Sequence, residues 1–376
     1  MSKPVEIIVI GGGIVGLSIA LELHWRGLAV QILTRSNAEA AAWSAAGMLA
    51  PQAEEIPPSA LLDFCLWSRN LYQDWTNKLS AITGLDTGYW ECGIVAPRYR
   101  PNGLDRSDWQ PIKELQTHLP HLKFSSEVAG GFWFAADGQV DNRALYQALQ
   151  AAARLANIEI ITDIEVQALE RTGQSIDRLT TNQGDFRASH YVLATGAWSQ
   201  QLLPIPVVPR KGQLIALQVP DVCNLPLETV LFGEEVYIVP RRAGRIVIGA
   251  TSENVGFQLG NTSIGVQGLL TKATRLCPQL AVYPIQESWW GFRPATSDEQ
   301  PILGASAYSN LTLATGHYRN GILLAPATAQ LIADVVTNSV ATGHQHLLDN
   351  FSYQRFAPPE LSPNPHAVQL CRSASA

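Results

Sequence analysis

The chain is poor in charged residues and carries no excess of positive charge. Asp, Glu, Lys and Arg make up 15% of its 376 residues, and the net charge is −6. A sparse, net negative charge argues against binding to nucleic acid or to an anionic membrane surface. It also indicates that much of the chain is buried, as in an ordinary globular protein.

Long hydrophobic runs and paired cysteines are also missing. No uncharged apolar run reaches the roughly 18–20 residues that a membrane-spanning helix requires, so we expect no membrane span. The five cysteines lie far apart and include no C-x-x-C pair. Such scattered thiols, with no signal-peptide pattern, favour a reducing compartment, and we expect a cytoplasmic protein. The histidines and cysteines show no metal-ligand spacing, so we expect no metal site.

The strongest pattern that is present lies at the N-terminus. Residues 5–10 form the short β-branched run of a strand buried on both faces, and residues 30–34 form a second. Between them, Gly11, Gly13 and Gly16 make G-x-G-x-x-G at the start of a helical pattern. This βαβ unit predicts dinucleotide binding: the glycines permit a tight turn, close approach to a pyrophosphate and close helix–strand packing, respectively.

The end of the second strand departs from the common pattern. Thr34 stands where an acidic residue usually binds a ribose hydroxyl, and Arg35 follows it. Threonine can still bind a hydroxyl, but without charge assistance. Because the arginine would also suit a 2′-phosphate, this motif alone leaves NADP open as the cofactor.

The remaining patterns alternate between helices and antiparallel strands. Residues 38–51 are rich in small side chains, which suits either an alanine-rich helix or close approach of the backbone to a flat ligand. We predict the following elements: helices at 61–79, 109–119, 141–156, 264–276 and 322–338; strands at 88–97, 131–140, 214–219, 230–240, 245–250, 286–293 and 311–315; and a meander within 158–195. This order predicts an α/β chain with interleaved antiparallel insertions.

Several motifs carry a family likeness over nearly the whole chain, to about Arg355. They are the glycine motif, SAAGMLAPQAE at 44–54, ATGAWS at 194–199, YIVPR at 237–241, WWGFRPATSDEQPILG at 289–304 and ATGHYRNGILLAP at 314–326. The chain resembles the glycine oxidases of the thiazole-biosynthesis type, within the D-amino-acid oxidase and sarcosine oxidase group of flavoproteins.

The resemblance implies a Rossmann-like FAD-binding domain interleaved with an antiparallel-sheet substrate domain, of the D-amino-acid oxidase or glutathione-reductase-2 type. It implies FAD rather than NADP as cofactor. We therefore predict three kinds of segment: an FAD-binding domain at 1–84, 141–202 and 300–356, a substrate-binding domain at 85–140 and 203–299, and a disordered tail at 357–376.

The implied activity is oxidative deamination of glycine, sarcosine or small D-amino acids by hydride transfer to flavin N5. The products would be an imine or glyoxylate-type compound, ammonia or amine, and hydrogen peroxide, with the imine open to use in thiamine thiazole synthesis. Homo-oligomers and a thiazole-pathway enzyme are open as partners. Two alternatives remain: a dehydrogenase of the same fold with an acceptor other than oxygen, and a flavin-binding protein with little turnover that assists a partner.

The resemblance also assigns site residues. Arg293 would clamp the substrate carboxylate, Tyr237 would donate its hydroxyl to it, Arg319 would close the pocket and Met48 would lie beside the flavin ring. The cofactor contacts it implies are Gly11, Gly13, Ile14, Val15, Gly16, Thr34, Arg35, Ser44, Ala45, Ala46, Gly47, Met48, Val166, Thr195, Gly196, Trp198, Gly316, His317, Tyr318, Arg319, Asn320, Gly321 and Ile322.

Glu235 departs from the family pattern, since relatives tend to carry a neutral or basic residue there. If residues 236–239 form a strand, Glu235 and Tyr237 share a face because side chains alternate. The carboxylate would then repel the substrate or occupy one of the arginines. The alternative is that a bulge turns Glu235 to solvent.

Overall fold

The computed structural model describes residues 5–36, 39–100, 106–223 and 225–356. The predicted tail at 357–376 lies outside these residues. Within them, no helix is long and apolar enough to cross a membrane.

The described residues form nineteen strands and eight α-helices. The strands are β1 Ile7–Ile10, β2 Val30–Leu33, β3 Met48–Leu49, β4 Ile94–Arg98, β5 Gln110–Pro111, β6 Gly130–Phe134, β7 Gly138–Gln139, β8 Glu159–Ile161, β9 Val166–Thr172, β10 Ser175–Thr181, β11 Gly184–Phe186, β12 His190–Leu193, β13 Val208–Gln218, β14 Val230–Phe232, β15 Tyr237–Pro240, β16 Arg245–Gly249, β17 Ile285–Ala295, β18 Ile302–Ala305 and β19 Leu311–Thr315. The helices are α1 Ile14–Trp25, α2 Ala41–Ser44, α3 Ala60–Thr83, α4 Ile112–Leu115, α5 Asn142–Leu155, α6 Ser263–Leu276, α7 Gly321–Val336 and α8 Gln345–Phe351.

A six-stranded sheet, in the order β18-β19-β12-β1-β2-β8, carries the predicted βαβ unit. β1 lies between β2 and β12 and is parallel to both, with Ile7 opposite Val30 on one side and His190 on the other. Every residue of β1 is buried, as its unbroken β-branched run predicts for a strand covered on both faces. All strands of this sheet fall within the segments predicted to bind the cofactor.

One face of this sheet is covered by helices α1, α3, α5 and α7, whose apolar side chains form a single core with β1 and β2. α7 contains Pro326, which has no N–H and leaves the carbonyl of Ile322 without its helical donor. The hydroxyl of Tyr72 on α3 donates to that carbonyl, and Ser68 donates to the carbonyl of Leu323 at 2.6 Å. α3 therefore compensates for the proline and fixes α7 against the sheet.

The second sheet has eight strands in the order β17-β13-β16-β15-β14-β4-β6-β5, and all of them fall within the predicted substrate segments. Its pairs are antiparallel except β14 with β4. α6 packs on one face. The small residues Ala46, Ala50 and Ala53 pack on the other face, against Leu214 and Val239. The division into two domains agrees with these sheets and stays a prediction.

Several predicted elements differ from the structure. The strand predicted at 131–140 is two strands, β6 and β7, which belong to different sheets. The helix predicted at 109–119 is instead β5, the one-turn α4 and a 3-10 turn at Gln116–His118. The strand predicted at 230–240 is two strands, β14 and β15, joined by a turn and paired with each other. The described part of the alanine-rich segment, residues 39–51, contains only the short α2 and then β3, so its small residues do not form a long helix.

Candidate active site

A cavity of about 420 Å³ runs between the glycine turn of the first sheet and the inner face of the second. This volume lies within the range of ordinary ligand sites, about 300–1,000 Å³. The cavity brings together most of the residues assigned from the sequence. Those on its wall are Gly11, Gly13, Ile14, Val15, Thr34, Arg35, Ser44, Ala45, Ala46, Gly47, Met48, Val166, Thr195, Gly196, Trp198, Tyr237, Arg293, His317, Tyr318, Arg319, Gly321 and Ile322.

Three of the assigned cofactor contacts do not line the cavity. Gly16 lies beneath the turn, where an added Cβ would be 1.9 Å from the carbonyl oxygen of Gly11, so it serves helix–strand packing. Gly316 has a φ of +73° and packs near Thr296 and Ile302. Asn320 is buried at the start of α7. These three shape the backbone behind the wall, and their direct contact with the cofactor stays a prediction.

The glycine turn fits a pyrophosphate. Gly11 has a φ of +117°, and its N–H donates to the carbonyl of Leu33 at 2.8 Å, which closes the turn. Gly13 begins α1 with no side-chain cap and no acidic residue in the first turn, and nothing lies within 4 Å of the Cβ it lacks. The first N–H groups of α1 therefore face open space, as at anion sites on helix N-termini.

Arg35, which follows β2, lines another part of the cavity near the glycine turn. Its guanidinium pairs with Glu39 at 2.5 Å and Glu165 at 3.5 Å and lies over the ring of Trp198, 4.7 Å from its centre. Because two carboxylates already neutralise this arginine, it is poorly placed to bind a 2′-phosphate. Thr34 beside it is buried and uncharged. The cavity thus fits a dinucleotide without that phosphate, such as FAD.

The second sheet supplies Arg293 and Tyr237 at the far end of the cavity. A Cβ on Gly212, in the neighbouring strand β13, would be 2.5 Å from Nη1 of Arg293, so the guanidinium lies flat on that glycine. Nη1 donates to the carbonyl of Thr251 at 3.1 Å. Gly249 makes the same room for the ring of Tyr237, whose hydroxyl is hydrogen-bonded to Arg293. Burial raises the pKa of this hydroxyl, while Arg293 opposes the rise.

A carboxylate that the sequence interpretation did not assign also lines this end. Oε2 of Glu54 lies 3.1 Å from Nε of Arg319; the side chain of Glu54 is 8% exposed and that of Arg319 is 49% exposed. Burial raises the pKa of Glu54, and Arg319 and Arg293 oppose the rise. The motif at 44–54 contains this residue, but only the fold brings it to the arginine.

Glu235 does not enter the clamp. It lies in the turn between β14 and β15 and pairs with Arg275 at 3.3 Å and Lys272 at 4.0 Å on the exposed side of α6. Because Glu235 pairs with these residues rather than with Arg293 or Arg319, the prediction that it occupies one of those arginines is wrong. The turn that carries Glu235 also lines the cavity, and repulsion of the substrate by its carboxylate stays a prediction.

The segment that carries Met48 is held by Arg241, a buried residue of the YIVPR motif. Its guanidinium donates to the carbonyl of Ala46 at 2.7 Å, to Oδ1 of Asn142 at 3.2 Å and to the side chain of Gln139. Burial lowers the pKa of Arg241 to about 10, which still leaves it charged at neutral pH. This network fixes the extended backbone of residues 44–48 along the cavity.

The last strand–turn–helix contributes His317, buried at the start of α7. Its Nε2 lies 3.1 Å from the hydroxyl of Thr328. Burial lowers the pKa of His317 to about 3, so the ring is neutral at neutral pH. α7 also begins without a side-chain cap or an acidic residue in its first turn. The N-terminus of α7 therefore keeps its partial positive charge at the cavity wall.

The fold and the cavity together define a dinucleotide-binding oxidoreductase. Comparison with known proteins specifies this class: the family described as FAD dependent oxidoreductase matches residues 6–335. The chain belongs to this family, and its cofactor is FAD.

Individual relatives fall in the same group. Over 363 residues the chain is 51% identical to a protein of Trichormus variabilis named bifunctional protein ThiO/ThiG, covering 93% of this chain and 55% of the relative. It is 31% identical over 354 residues to a glycine oxidase of Bacillus subtilis, covering 90% and 94%. The crystal structure of glycine oxidase from Geobacillus kaustophilus superposes with a TM-score of 0.84 at 32% identity, covering 90% and 95%. The chain thus spans only about half the length of the bifunctional relative.

Proposed function

We propose that the protein oxidises a small amino acid, with glycine, sarcosine and small D-amino acids as the substrate class and oxygen as the acceptor. The observation that carries this proposal is the pairing of Arg293 with Tyr237 at one end of a cavity whose other end is a dinucleotide turn. The names of the relatives that cover most of this chain support the choice of glycine. For glycine the balanced reaction consumes oxygen and water and releases glyoxylate, ammonia and hydrogen peroxide.

Arg293 would bind the substrate carboxylate through two parallel charge-assisted hydrogen bonds, since its fork geometry matches a carboxylate. Its fixed position on Gly212 keeps the guanidinium from following a misplaced substrate. Tyr237 would donate its proton to the same carboxylate, because the raised pKa keeps the hydroxyl protonated at neutral pH. These two residues set the orientation of Cα, and orientation is the main contribution expected of the protein.

FAD, when bound, supplies the two-electron oxidation and the transfer of those electrons to oxygen. Gly11, Gly13 and the N-terminus of α1 would hold its pyrophosphate, and Met48 and the start of α7 would lie along the remainder. Burial lowers the pKa of His317 to about 3, so its ring would be a weak base, and we assign it no role in removing the substrate proton. The substrate amine would therefore react in its neutral form, after losing its proton to water.

Anaerobic addition of glycine to the yellow holoprotein tests this proposal directly. We expect the flavin absorbance to bleach, and we expect hydrogen peroxide once air is admitted. Bleaching without peroxide would favour a dehydrogenase with another acceptor. No bleaching with glycine, sarcosine or any small D-amino acid would contradict the proposal and favour a flavin-binding protein without turnover.

We also infer that the imine product supplies thiazole synthesis. The support is the ThiO/ThiG name of the relative that is 51% identical over this region. Incubation of the protein and glycine with a thiazole synthase and its other substrates should yield the thiazole, and Arg293→Ala should lower the rate at which it forms. The four described cysteines are free thiols, which supports a cytoplasmic location. A homo-oligomer stays a proposal, to be measured by sedimentation.

A further inference from the structure

The charged groups at the substrate end of the cavity form a set of three. Arg293 and Arg319 carry positive charges. Of the described residues at this end of the cavity, Glu54 is the one whose carboxylate is buried. Glu54 acts electrostatically on Tyr237, and both arginines act on Glu54, so these groups share one site. With Glu54 ionised in its pair with Arg319, the sum of the three charges is plus one.

We propose that Glu54 determines the charge class of the substrate: by pairing with Arg319, it leaves one cationic charge free and selects amines with one carboxylate over amines with two. This inference rests on the proposed function and names the residue that limits its substrates. A second carboxylate on the substrate would meet Glu54 at the position where Arg319 would otherwise receive it. Such placement of like charges is a common means of rejecting a wrong ligand.

The turn that carries Glu54 is held in place on its other side. Oδ2 of Asp137 accepts the N–H groups of Gln52 at 3.0 Å and Ala53 at 2.8 Å. Oδ1 of Asp137 pairs with Arg69 at 2.6 Å. Asp137 is fully buried. The backbone just before Glu54 is therefore fixed by a buried ion pair, and the pair with Arg319 places the carboxylate at the cavity wall.

Arg319 has a second carboxylate neighbour that serves as a matched control. Oε2 of Glu299 lies 3.9 Å from Nη2 of Arg319, but its side chain is 54% exposed and does not line the cavity. Solvent screens a charge in that position. Removing the charge of Glu299 should therefore leave substrate choice unchanged, whereas removing the charge of Glu54 should change it.

The test compares Glu54→Gln with Glu299→Gln in the holoprotein, using glycine and iminodiacetate as substrates with one and two carboxylates. We expect Glu54→Gln to raise the ratio of kcat/KM for iminodiacetate over glycine by about tenfold or more, because the freed Arg319 can receive the second carboxylate. Glu299→Gln should keep the wild-type ratio. An unchanged ratio in Glu54→Gln would overturn the inference, even though glycine oxidation itself continued.

Binding of compounds that are not oxidised separates this inference from the proposed activity. Acetate and malonate carry one and two carboxylates, and their dissociation constants can be followed through the change they cause in the flavin absorbance. Glu54→Gln should favour malonate over acetate relative to the wild type. This result would support the inference in a protein that oxidised no amine, and its absence would overturn the inference in an active one.

A second variant distinguishes a charge effect from loss of structure. Arg319→Gln breaks the same ion pair but removes a positive charge, so it should shift the malonate-to-acetate preference in the opposite direction. If the pair only stabilised the wall, the two variants would shift the preference alike. A shift in the same direction in both variants would overturn the inference, and Arg319→Gln alone gives an answer if Glu54→Gln does not fold.

Discussion

The two sheets contribute to the cavity in different ways. The six-stranded sheet contributes backbone, since Gly11, Gly13 and the N-terminus of α1 lie in one short loop after β1. The eight-stranded sheet contributes side chains: Arg293 comes from β17 and Tyr237 from β15, and each rests on a glycine of the strand beside it. The cofactor end therefore depends on the backbone path of the glycine turn, and the substrate end depends on the side chains of Arg293 and Tyr237.

The largest effect is expected from glycines of the backbone end. In Gly16→Ala the new Cβ would lie 1.9 Å from the carbonyl oxygen of Gly11, so α1 must move away from the sheet at a cost of about 3 kcal/mol in the free energy of unfolding. Gly13→Ala should fold normally, because its Cβ meets nothing, yet bind FAD more weakly. Denaturant unfolding and flavin content measure the two effects. Equal stability of Gly16→Ala and the wild type would contradict this account.

At the side-chain end, Arg293→Ala should lower kcat/KM for glycine through loss of a charge-assisted pair. The loss corresponds to about 1.5–3 kcal/mol of transition-state stabilisation. Flavin content and unfolding should change little, since the cofactor end lies on the other sheet. Steady-state kinetics on Arg293→Ala and Arg242→Ala provide the comparison. Arg242 lies in the turn between β15 and β16, and its side chain is 57% exposed. Wild-type efficiency in Arg293→Ala would exclude it as the clamp.

The cofactor end should also be sensitive to acid through His317. Its folded-state pKa of about 3 lies below the unfolded value near 6.5, so the unfolded chain binds one more proton between these values. Stability should therefore fall as the pH falls through 6.5, by roughly 2 kcal/mol between pH 8 and pH 5. His317→Gln should lack this part of the loss. Denaturant midpoints of both proteins at the two pH values measure it, and parallel losses would rule out His317.

The smallest effect is expected at Glu235, in the turn between two strands of the second sheet. Glu235→Gln should leave KM for glycine unchanged, because Glu235 pairs with Arg275 at the surface, where ion pairs contribute only about 0–1 kcal/mol. Assay at low and moderate salt gives the comparison. A clear fall in KM would mean that this carboxylate reaches the substrate after all.

Prediction from the sequence was most accurate where an element depends on residues that are close together in the sequence. The βαβ unit, the start of α5 at Asp141, whose side chain accepts from the N–H groups of Arg143 and Ala144, and α7 all lie where the patterns place them. The error at 230–240 arose because Gly233, Glu234 and Glu235, which lie in the turn between β14 and β15, were included in one strand. That turn sets the direction of Glu235 toward Arg275, which the strand prediction did not show.

The amino-acid pattern alone was sufficient for the dinucleotide turn, because a strand, three glycines and a helix are contiguous and their geometry is local. Arg293 and Tyr237 could be assigned only through resemblance, since no local signal places either beside the turn. The pairing of Glu54 with Arg319 joins positions 54 and 319 and depends on how α7 and the 50–55 turn pack around the cavity. Such contacts between distant positions exist only after folding, because packing rather than local pattern brings the charges together.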